Sequence, residues 1–334
     1  MKERYRMDLQ LFADVDVTTD AGLSAEMKTY YSALLIDDAK PELVHDQFGQ
    51  KKPIPKNGGK VIEFRRYTSL PKALTPLTEG VTPSRSSLNV ETITAEVRQY
   101  GDYIGVSDIL VLTAIDNNIV EATRLLGSQA GRTLDTITRE VVNSGTNVMY
   151  APKDDGTPVL SRANIDETSV LTMDVITKAV AQLRGMNAKP IEGGKYVAVV
   201  HPYTANDLMK DGERWRDVYK YADPENILEG ELGEYGGVRF VGTSESKIWG
   251  GAGSGGAAVY STLVIGANAY GVTEVEGGGL QHIAKQLGSA GTADPLNQRA
   301  TVGWKALKTA EILCEEYMVR IESGCPEFGN AQSN

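Results

Sequence analysis

The segment that follows Asp294 constrains the fold most, because its pattern is that of one unusually long strand. After Gly303 the chain runs for about twenty residues without a glycine or a proline. Apolar and charged side chains alternate with a period of two and then reverse parity, so a bend or bulge near Glu315 would keep one face buried. We expect a long, bent C-terminal strand. A helix through Trp304 and Glu311 is the alternative for its first half.

A second pattern predicts a long helix over residues 118–143. Seven residues recur at intervals of three or four and therefore share one helical face. They are Ile119, Thr123, Leu126, Ala130, Leu134, Ile137 and Val141. Asp116 to Asn118 offer N-cap residues, and Asn143 to Gly145 offer a stop. At 1.5 Å per residue, about 24 residues would span roughly 36 Å, enough to act as the backbone of a flat domain.

The same helix has two further features. Arg132, Asp135 and Arg139 are spaced to pair with one another, which we expect to occur on the solvent-facing side. Gly127 and Gly131 lie one turn apart and lower helix propensity. We therefore expect a strand or another helix to lie close to the helix at these two glycines.

Two segments before this helix predict a long two-stranded arm. Val61–Thr68 and Asn89–Arg98 are rich in β-branched residues, and the stretch between them holds three prolines and Gly80. An isolated hairpin has too little core to be stable alone, so its apolar residues need a partner surface. An ordinary hairpin packed on the edge of its own domain is the alternative.

The remaining pattern is that of an α+β protein. A helix over Leu23–Leu43 and a breaker-rich linker precede the arm. Beyond the long helix, the predicted helices and strands complete an α+β unit. These predicted elements are a helix at Met173–Asn187, a strand at Tyr196–Val200, a helix at Tyr203–Met209, and strands at Val238–Val241 and Val259–Ile265.

Six short motifs, in order along the chain, carry a resemblance to a known family. They are YGDYIGVSD (100–108), EVVNSGTN (140–147), HPYTANDLMKD (201–211), GVRFVGTSE (237–245), TLVIGANAYGV (262–272) and DPLNQRATVGWK (294–305). Together they resemble the major capsid proteins of tailed bacteriophages with the Hong Kong 97-type fold. More narrowly, they resemble the family named after the capsid protein of the podophage N-four.

The resemblance implies a division of the chain into five regions. These are an N-terminal arm (1–60), an extended loop formed by the β-hairpin (61–100), a peripheral domain with the spine helix 118–143 (101–170), an axial domain (171–292), and a return to the peripheral domain through the long C-terminal strand (293–334).

It also implies a structural protein, not an enzyme: a major capsid subunit that self-assembles as hexamers and pentamers into an icosahedral head shell. The implied partners are further copies of the chain, a separate scaffolding protein, a portal and a decoration protein. The shell would enclose double-stranded DNA without binding it specifically, and no membrane is involved. Such a protein belongs to the virion and is assembled in the host cytoplasm. An encapsulin-like compartment with protein cargo is the alternative with the same fold.

The charge distribution suggests pairing between subunits. The chain carries −10, which argues against a sequence-independent nucleic-acid binder. Lys51–Lys72, however, holds seven basic residues against Glu63 alone, so this stretch carries +6 and the rest carries −16. We expect it to lie across an acidic region of a neighbouring subunit, such as Asp223–Glu234. A solvated basic loop is the alternative.

Residues suited to catalysis or cofactor binding are sparse. His45, His201 and His282 are far apart, and no His or Cys spacing fits a metal site. Cys314 and Cys325 give no disulfide framework and are expected to be reduced thiols, with a single strained bridge between them as the alternative. No apolar run approaches a membrane span. We therefore predict no catalytic, cofactor-binding or metal residues. An α/β hydrolase or a ligand-binding module is a remote alternative that a turnover or ligand screen would test.

Seven residues are the sequence-based candidates for contacts between subunits, because they are basic or aromatic and lie in regions that the resemblance places at interfaces. They are Phe64, Arg65, Arg66 and Lys72 on the arm, Trp215 and Tyr219 in the axial region, and Trp304 at the start of the last strand.

Overall fold

The computed structural model describes residues 33–39, 42–53, 60–67, 70, 72–77, 79–82, 84–109, 118–191, 193–210, 231–273, 280–289 and 294–334. Of the helix predicted over Leu23–Leu43, residues 33–39 are helical, and residues 23–32 lie outside the described part of the chain. Within these ranges, no helix is both long enough and apolar enough to cross a membrane.

Strands occur in long runs before and after the helices, which agrees with the predicted α+β class. The helices are α1 (Asn118–Val142), α2 (Met173–Gly185) and α3 (Pro202–Lys210). The strands are β1 (Gln50–Lys52), β2 (Val61–Tyr67), β3 (Val90–Glu96), β4 (Arg98–Ser107), β5 (Val148–Tyr150), β6 (Tyr196–Val200), β7 (Glu231–Tyr235), β8 (Val238–Gly242), β9 (Ile248–Trp249), β10 (Val259–Ile265), β11 (Tyr270–Thr273), β12 (Leu280–Lys285), β13 (Arg299–Lys308), β14 (Ala310–Ile312) and β15 (Met318–Ser323).

Helix α1 confirms the prediction for residues 118–143 to within one residue. Its 25 residues span about 37 Å. The predicted apolar face is turned inward, and Leu126, Ala130 and Leu134 are among the most buried residues of the chain. This face packs on the three-stranded antiparallel sheet β12-β13-β4, where Val302 and Trp304 of β13 complete the core.

The two glycines of α1 allow the close approach that the sequence predicts. A Cβ at Gly127 would lie 2.9 Å from the carbonyl oxygen of Leu35, and a Cβ at Gly131 would lie 2.5 Å from that of Ala39. Real Cβ contacts are longer, so only glycine lets the helical residues 33–39 lie against α1 at this distance. The N-terminal segment is thereby fixed along the helix.

The predicted pairing of Arg132, Asp135 and Arg139 on the solvent-facing side of α1 is wrong. Asp135 is fully buried, and both of its carboxylate oxygens accept hydrogen bonds from His45. Arg139 is 2% exposed, whereas Arg132 is exposed and pairs with Glu245. The buried face of α1 is wider than its apolar stripe, because the N-terminal segment covers Asp135, and Glu245 and Asn334 contact Arg139.

The C-terminal segment is not one long strand but three strands in three sheets. β13 pairs with β4 and β12, β14 pairs with β11, and β15 pairs with β10 and β5. The bend predicted near Glu315 is confirmed by the 3₁₀ turn Glu315–Tyr317. The alternative of a helix through Trp304 is excluded, since this residue lies within β13.

The central layer is a sheet of seven strands. Its order is β5-β15-β10-β6-β8-β7, with β9 paired to β10. Every residue of β6 and β10 is buried, because helix packing covers one face and the segments around β11 and β14 cover the other. The inward face of α2 is as predicted, with Val175, Ile176 and Leu183 buried.

Candidate assembly surfaces

The arm predicted between Val61 and Arg98 is present as a two-stranded antiparallel sheet. Strands β2 and β3 pair over seven residues each, from Val61 opposite Glu96 to Tyr67 opposite Val90. One face of this ribbon packs on the chain itself and the other is exposed, as the alternating burial along β2 shows. The arm therefore has a root that is anchored within the subunit.

The root of the arm accounts for Phe64, and its place as an interface candidate needs correction. Phe64 is 2% exposed and shares a small core with Ile62, Ala95 and Leu313. Its ring lies over Gly271 of β11, where a Cβ would be 2.7 Å from Phe64 Cζ and closer still to Cε1. Strand alternation turns this ring toward the chain's own sheet, so it anchors the arm and is unavailable to a neighbour.

The two arginines on β2 differ in how far they are held within the chain. Arg66 is partly held within the chain: its Nη1 donates to the Leu313 carbonyl at 3.2 Å, and its Nε lies 3.6 Å from the Glu91 carboxylate. Arg65 is exposed. Lys72, farther along the arm, is exposed as well. The structure thus leaves Arg65 and Lys72 accessible and commits Arg66 in part.

The distal part of the arm exposes a group of apolar side chains. Leu74 and Leu77 are 82% and 77% exposed, and they belong to a run of exposed apolar residues that lie close together in sequence. The others in this group are Leu70, Val81 and Leu88. We call these five residues the apolar tip. They were missed as interface candidates, although apolar residues in a stretch rich in prolines and glycines were a usable signal.

The remaining sequence-based candidates do not form a surface. Trp304 is 4% exposed and packs under α1, where its Nε1 donates to the Gln129 side-chain oxygen at 3.3 Å. Because the even-numbered positions of β13 face the helix, this indole is a core residue of the subunit. Trp215 and Tyr219 lie outside the described residues.

A buried polar cluster, which the sequence did not reveal, ties the N-terminal segment to the core. His45 Nδ1 lies 2.6 Å from a carboxylate oxygen of Asp135. The neighbouring residue Asp46 forms an ion pair with Lys308 of β13 and accepts a hydrogen bond from the Thr138 hydroxyl. The five side chains are at most 8% exposed, and each pair satisfies charges that would be costly to bury alone.

The groups that could supply catalytic chemistry are placed as structural residues. Burial lowers the pKa of His201 to about 4, and its Nδ1 accepts a hydrogen bond from the Tyr203 amide at 3.2 Å. Burial, with a hydrogen bond to Asp207, raises the pKa of the Cys325 thiol to about 11. Neither residue is poised as a base or a nucleophile near neutral pH. In the described ranges, no group of three or more His, Cys, Asp or Glu residues could hold a metal ion.

Comparison of the sequence with known proteins gives one family match. The sequence profile of a family described as phage capsid protein matches residues 90–312, which is more than half of the chain. No curated protein matches the sequence.

Three solved capsid structures are similar in fold. The capsid of Ralstonia phage GP4 has a TM-score of 0.66 at 14% identity, covering 84% of this chain and 88% of that one. The capsid of cyanophage Pam1 has a TM-score of 0.61 at 14% identity, covering 80% and 86%. The capsid of cyanophage P-SCSP1u has a TM-score of 0.60 at 10% identity, covering 85% and 88%. At these identities the likeness is one of fold, and that fold is the Hong Kong 97-type fold expected from the sequence.

Proposed function

This chain belongs to the phage capsid protein family, and from that premise we propose that its copies join through the apolar tip of the arm to build the shell of a phage head. The chain is a structural protein and not an enzyme, and it serves as the major capsid subunit of an icosahedral head. Its place is therefore the virion. The finer assignment to the N-four-like family is part of the proposal and is supported by the six motifs in their order.

The observation that carries the proposed contact is the exposure of the apolar tip. Burying a leucine side chain contributes about 1.5–3 kcal/mol, so leaving Leu74 and Leu77 in water forgoes a large stabilisation. The root of the arm is anchored by Phe64, whereas the side chains of the tip remain exposed. A surface of a neighbouring copy is the partner that restores this burial in a shell built from one chain.

The contact is heterologous, because a tip on one copy meets a different surface on the next. Heterologous contacts close into rings, and we propose rings of six and of five that combine into the icosahedral shell. Each subunit both gives and receives an arm, so modest pairwise energies add up through multivalency. No single interface then has to be strong.

The proposed division of labour follows the five regions given by the resemblance. Residues 61–100 form the extended loop, residues 101–170 with α1 form the peripheral domain, and residues 171–292 form the axial domain. The segment 293–334 links the last two, since β13 lies under α1 and β15 lies beside β10 in the seven-stranded sheet. Residues 1–60 form the N-terminal arm.

The proposed contents rest on charge, and the proposed partners rest on the family resemblance. A net charge of −10 suits a wall that encloses double-stranded DNA without binding it specifically. We also propose a separate scaffolding protein, a portal and a decoration protein as partners, and assembly in the host cytoplasm, on the strength of the family resemblance. An encapsulin-like compartment remains the second candidate. The match to a phage capsid family favours the phage head.

Expression of the chain alone, followed by electron microscopy and sedimentation, tests the proposed contact. If the native sequence forms closed shells on its own, we expect mainly unassembled subunits from a variant with both Leu74→Ser and Leu77→Ser. The matched control is Leu160→Ser, because Leu160 is 83% exposed and lies far from the arm in sequence.

Normal shells from the double variant would overturn the role of the tip. If the native chain forms only small oligomers, hydrogen exchange across residues 70–90 decides the matter. Fast exchange there fits an arm that awaits a neighbour, whereas strong protection in a monomer would contradict the proposal.

A further inference from the structure

A cleft of about 480 Å³ opens at the root of the arm. One wall is the end of β2, with Arg65, Arg66 and Tyr67. The floor and opposite wall come from three segments that are distant in sequence: the loop after α2, the turn between β10 and β11, and the stretch after β14. The remaining lining residues are Gln50, Lys189, Ala267, Asn268, Leu313, Cys314 and Tyr317.

The floor of the cleft is rigid because backbone hydrogen bonds join its three segments. The Ala267 amide donates to the Lys189 carbonyl at 2.7 Å, and the Gly266 amide donates to the Tyr317 carbonyl at 2.8 Å. The Leu313 amide donates to the Ala269 carbonyl at 2.9 Å. A site whose walls are already in place loses little entropy when a ligand binds.

The charge of the cleft is one-sided. Arg65, Arg66 and Lys189 line it, and no carboxylate is among its lining residues. In the described part of the chain, Arg65 and Lys189 make no ion pair, and both are exposed. The pair of Arg66 with Glu91 is an exposed one at 3.6 Å and contributes little, so the guanidinium can change partners. Three basic residues therefore line a cleft that has no carboxylate among its described lining residues.

We propose that this cleft, which we call the basic cleft, binds a carboxylate-bearing segment of a second copy of the chain. This proposal rests on the proposed function, because a shell places a neighbour beside every subunit. Charge complementarity names the occupant: the stretch 51–72 carries +6 and the rest of each copy carries −16. Arginine forks match carboxylates in charge and geometry, and Asn268 and the two tyrosines add neutral donors.

One part of the acidic region expected from the sequence is already engaged. Glu234 pairs with Lys195 and Arg239 of its own subunit, so it is a poor ligand for a neighbour. The basic cleft also shares Arg66 and Tyr67 with the arm. Binding there would fix the direction in which the arm leaves the subunit, and would link the ionic contact at the root to the apolar contact at the tip.

Calorimetry of hexaglutamate peptide binding to unassembled subunits tests whether the cleft binds carboxylates, without requiring a shell. The test variant replaces Arg65 and Lys189 with alanine. The control is Lys178→Ala, since Lys178 is exposed on α2 and away from the cleft. Losing two charge-assisted contacts should weaken binding at least about tenfold. Equal affinity of the double variant and the control would overturn the proposal, and so would tighter binding of a short DNA duplex at the same residues.

Carbodiimide cross-linking of particles assembled from equal amounts of ¹⁴N- and ¹⁵N-labelled chains identifies the occupant. We expect mixed-isotope links between Lys189 and an acidic segment of another copy. If shells form but Lys189 links only within its own chain, for example to Glu316, the cleft proposal fails while the capsid function stands. If the chain binds hexaglutamate but forms no shells under any condition, the capsid contact fails instead.

Discussion

At the scale of single residues, the buried polar cluster decides how the N-terminal segment is held. His45 and Asp46 are adjacent, yet they reach two different elements: Asp135 on α1 and Lys308 on β13. Removing one partner of a buried pair leaves an uncompensated charge, which typically costs about 3–5 kcal/mol. The pairs therefore contribute less to net stability than to specifying one position of the segment against the helix.

A second residue, His201, gives the fold a defined pH dependence. Burial lowers its pKa from 6.5 to about 4, so between these values the unfolded chain binds a proton that the folded chain does not. Unfolding then becomes easier as the pH falls from about 6.5 to about 4, and the loss levels off below that range. We expect the contribution to approach about 3 kcal/mol.

The measurement is the free energy of unfolding in urea across this pH range, for the native chain and for His201→Gln. The variant should show a shallower decline, because its side chain does not titrate. The carboxylates and His282 contribute equally to the pH dependence of both proteins. Parallel curves would mean that folding does not lower the pKa of His201.

Single residues also mark what the sequence could not reveal. The period of two along β2 and β13 shows correctly that Phe64 and Trp304 face a buried side. It carries no information on whether that side is covered by the same chain or by a neighbour, and in both cases the same chain covers it. Asp135 was misplaced for a related reason, since a polar residue beside an apolar stripe is exposed only if nothing else packs there.

At the scale of elements, local pattern was a good guide wherever one segment decides its own structure. α1, β6 and β10 were predicted to within a residue, because helical spacing and β-branched runs are local signals. The prediction of one long strand in the C-terminal segment was wrong for a different reason. Each of its pieces is a strand, but strand pairing is a long-range property, and three separate partners divide what alternation presents as one strand.

The docking of the arm on β11 is an element-scale property that one methyl group can test. Gly271→Ala would place a Cβ against the buried Phe64 ring, and overpacking of this kind costs about 1–3 kcal/mol. We expect lower stability and faster hydrogen exchange in β2 and β3. Gly105→Ala is the matched control, because its Cβ would meet nothing within 4 Å and the residue is also in a strand. Equal exchange in the two variants would show that the root does not rest on β11.

At the scale of the whole molecule, the sequence indicated a shell subunit, and this inference did not depend on any catalytic or ligand-binding residue. The order of the six motifs and the arm carried that conclusion. The apolar tip and the basic cleft could not be predicted in the same way. The tip is defined by exposure, which depends on what the arm fails to touch, and the cleft is defined by three distant segments that only the fold brings together.

The apolar tip and the basic cleft respond differently to salt, so the salt dependence of assembly shows which contact contributes more interface energy. Copies that each carry −10 repel one another, and salt screens that repulsion beyond about 8–10 Å near physiological ionic strength. Salt also weakens the carboxylate contact at the basic cleft, but it leaves the burial of Leu74 and Leu77 almost unchanged.

If the apolar tip supplies most of the interface energy, the critical concentration for assembly, measured by light scattering, should fall as salt rises toward about 0.15 M. The Arg65→Ala, Lys189→Ala variant should show a steeper fall, since it keeps the repulsion and lacks the attraction. A critical concentration that rises with salt would show that ionic contacts dominate, and would move the main interface from the tip to the cleft.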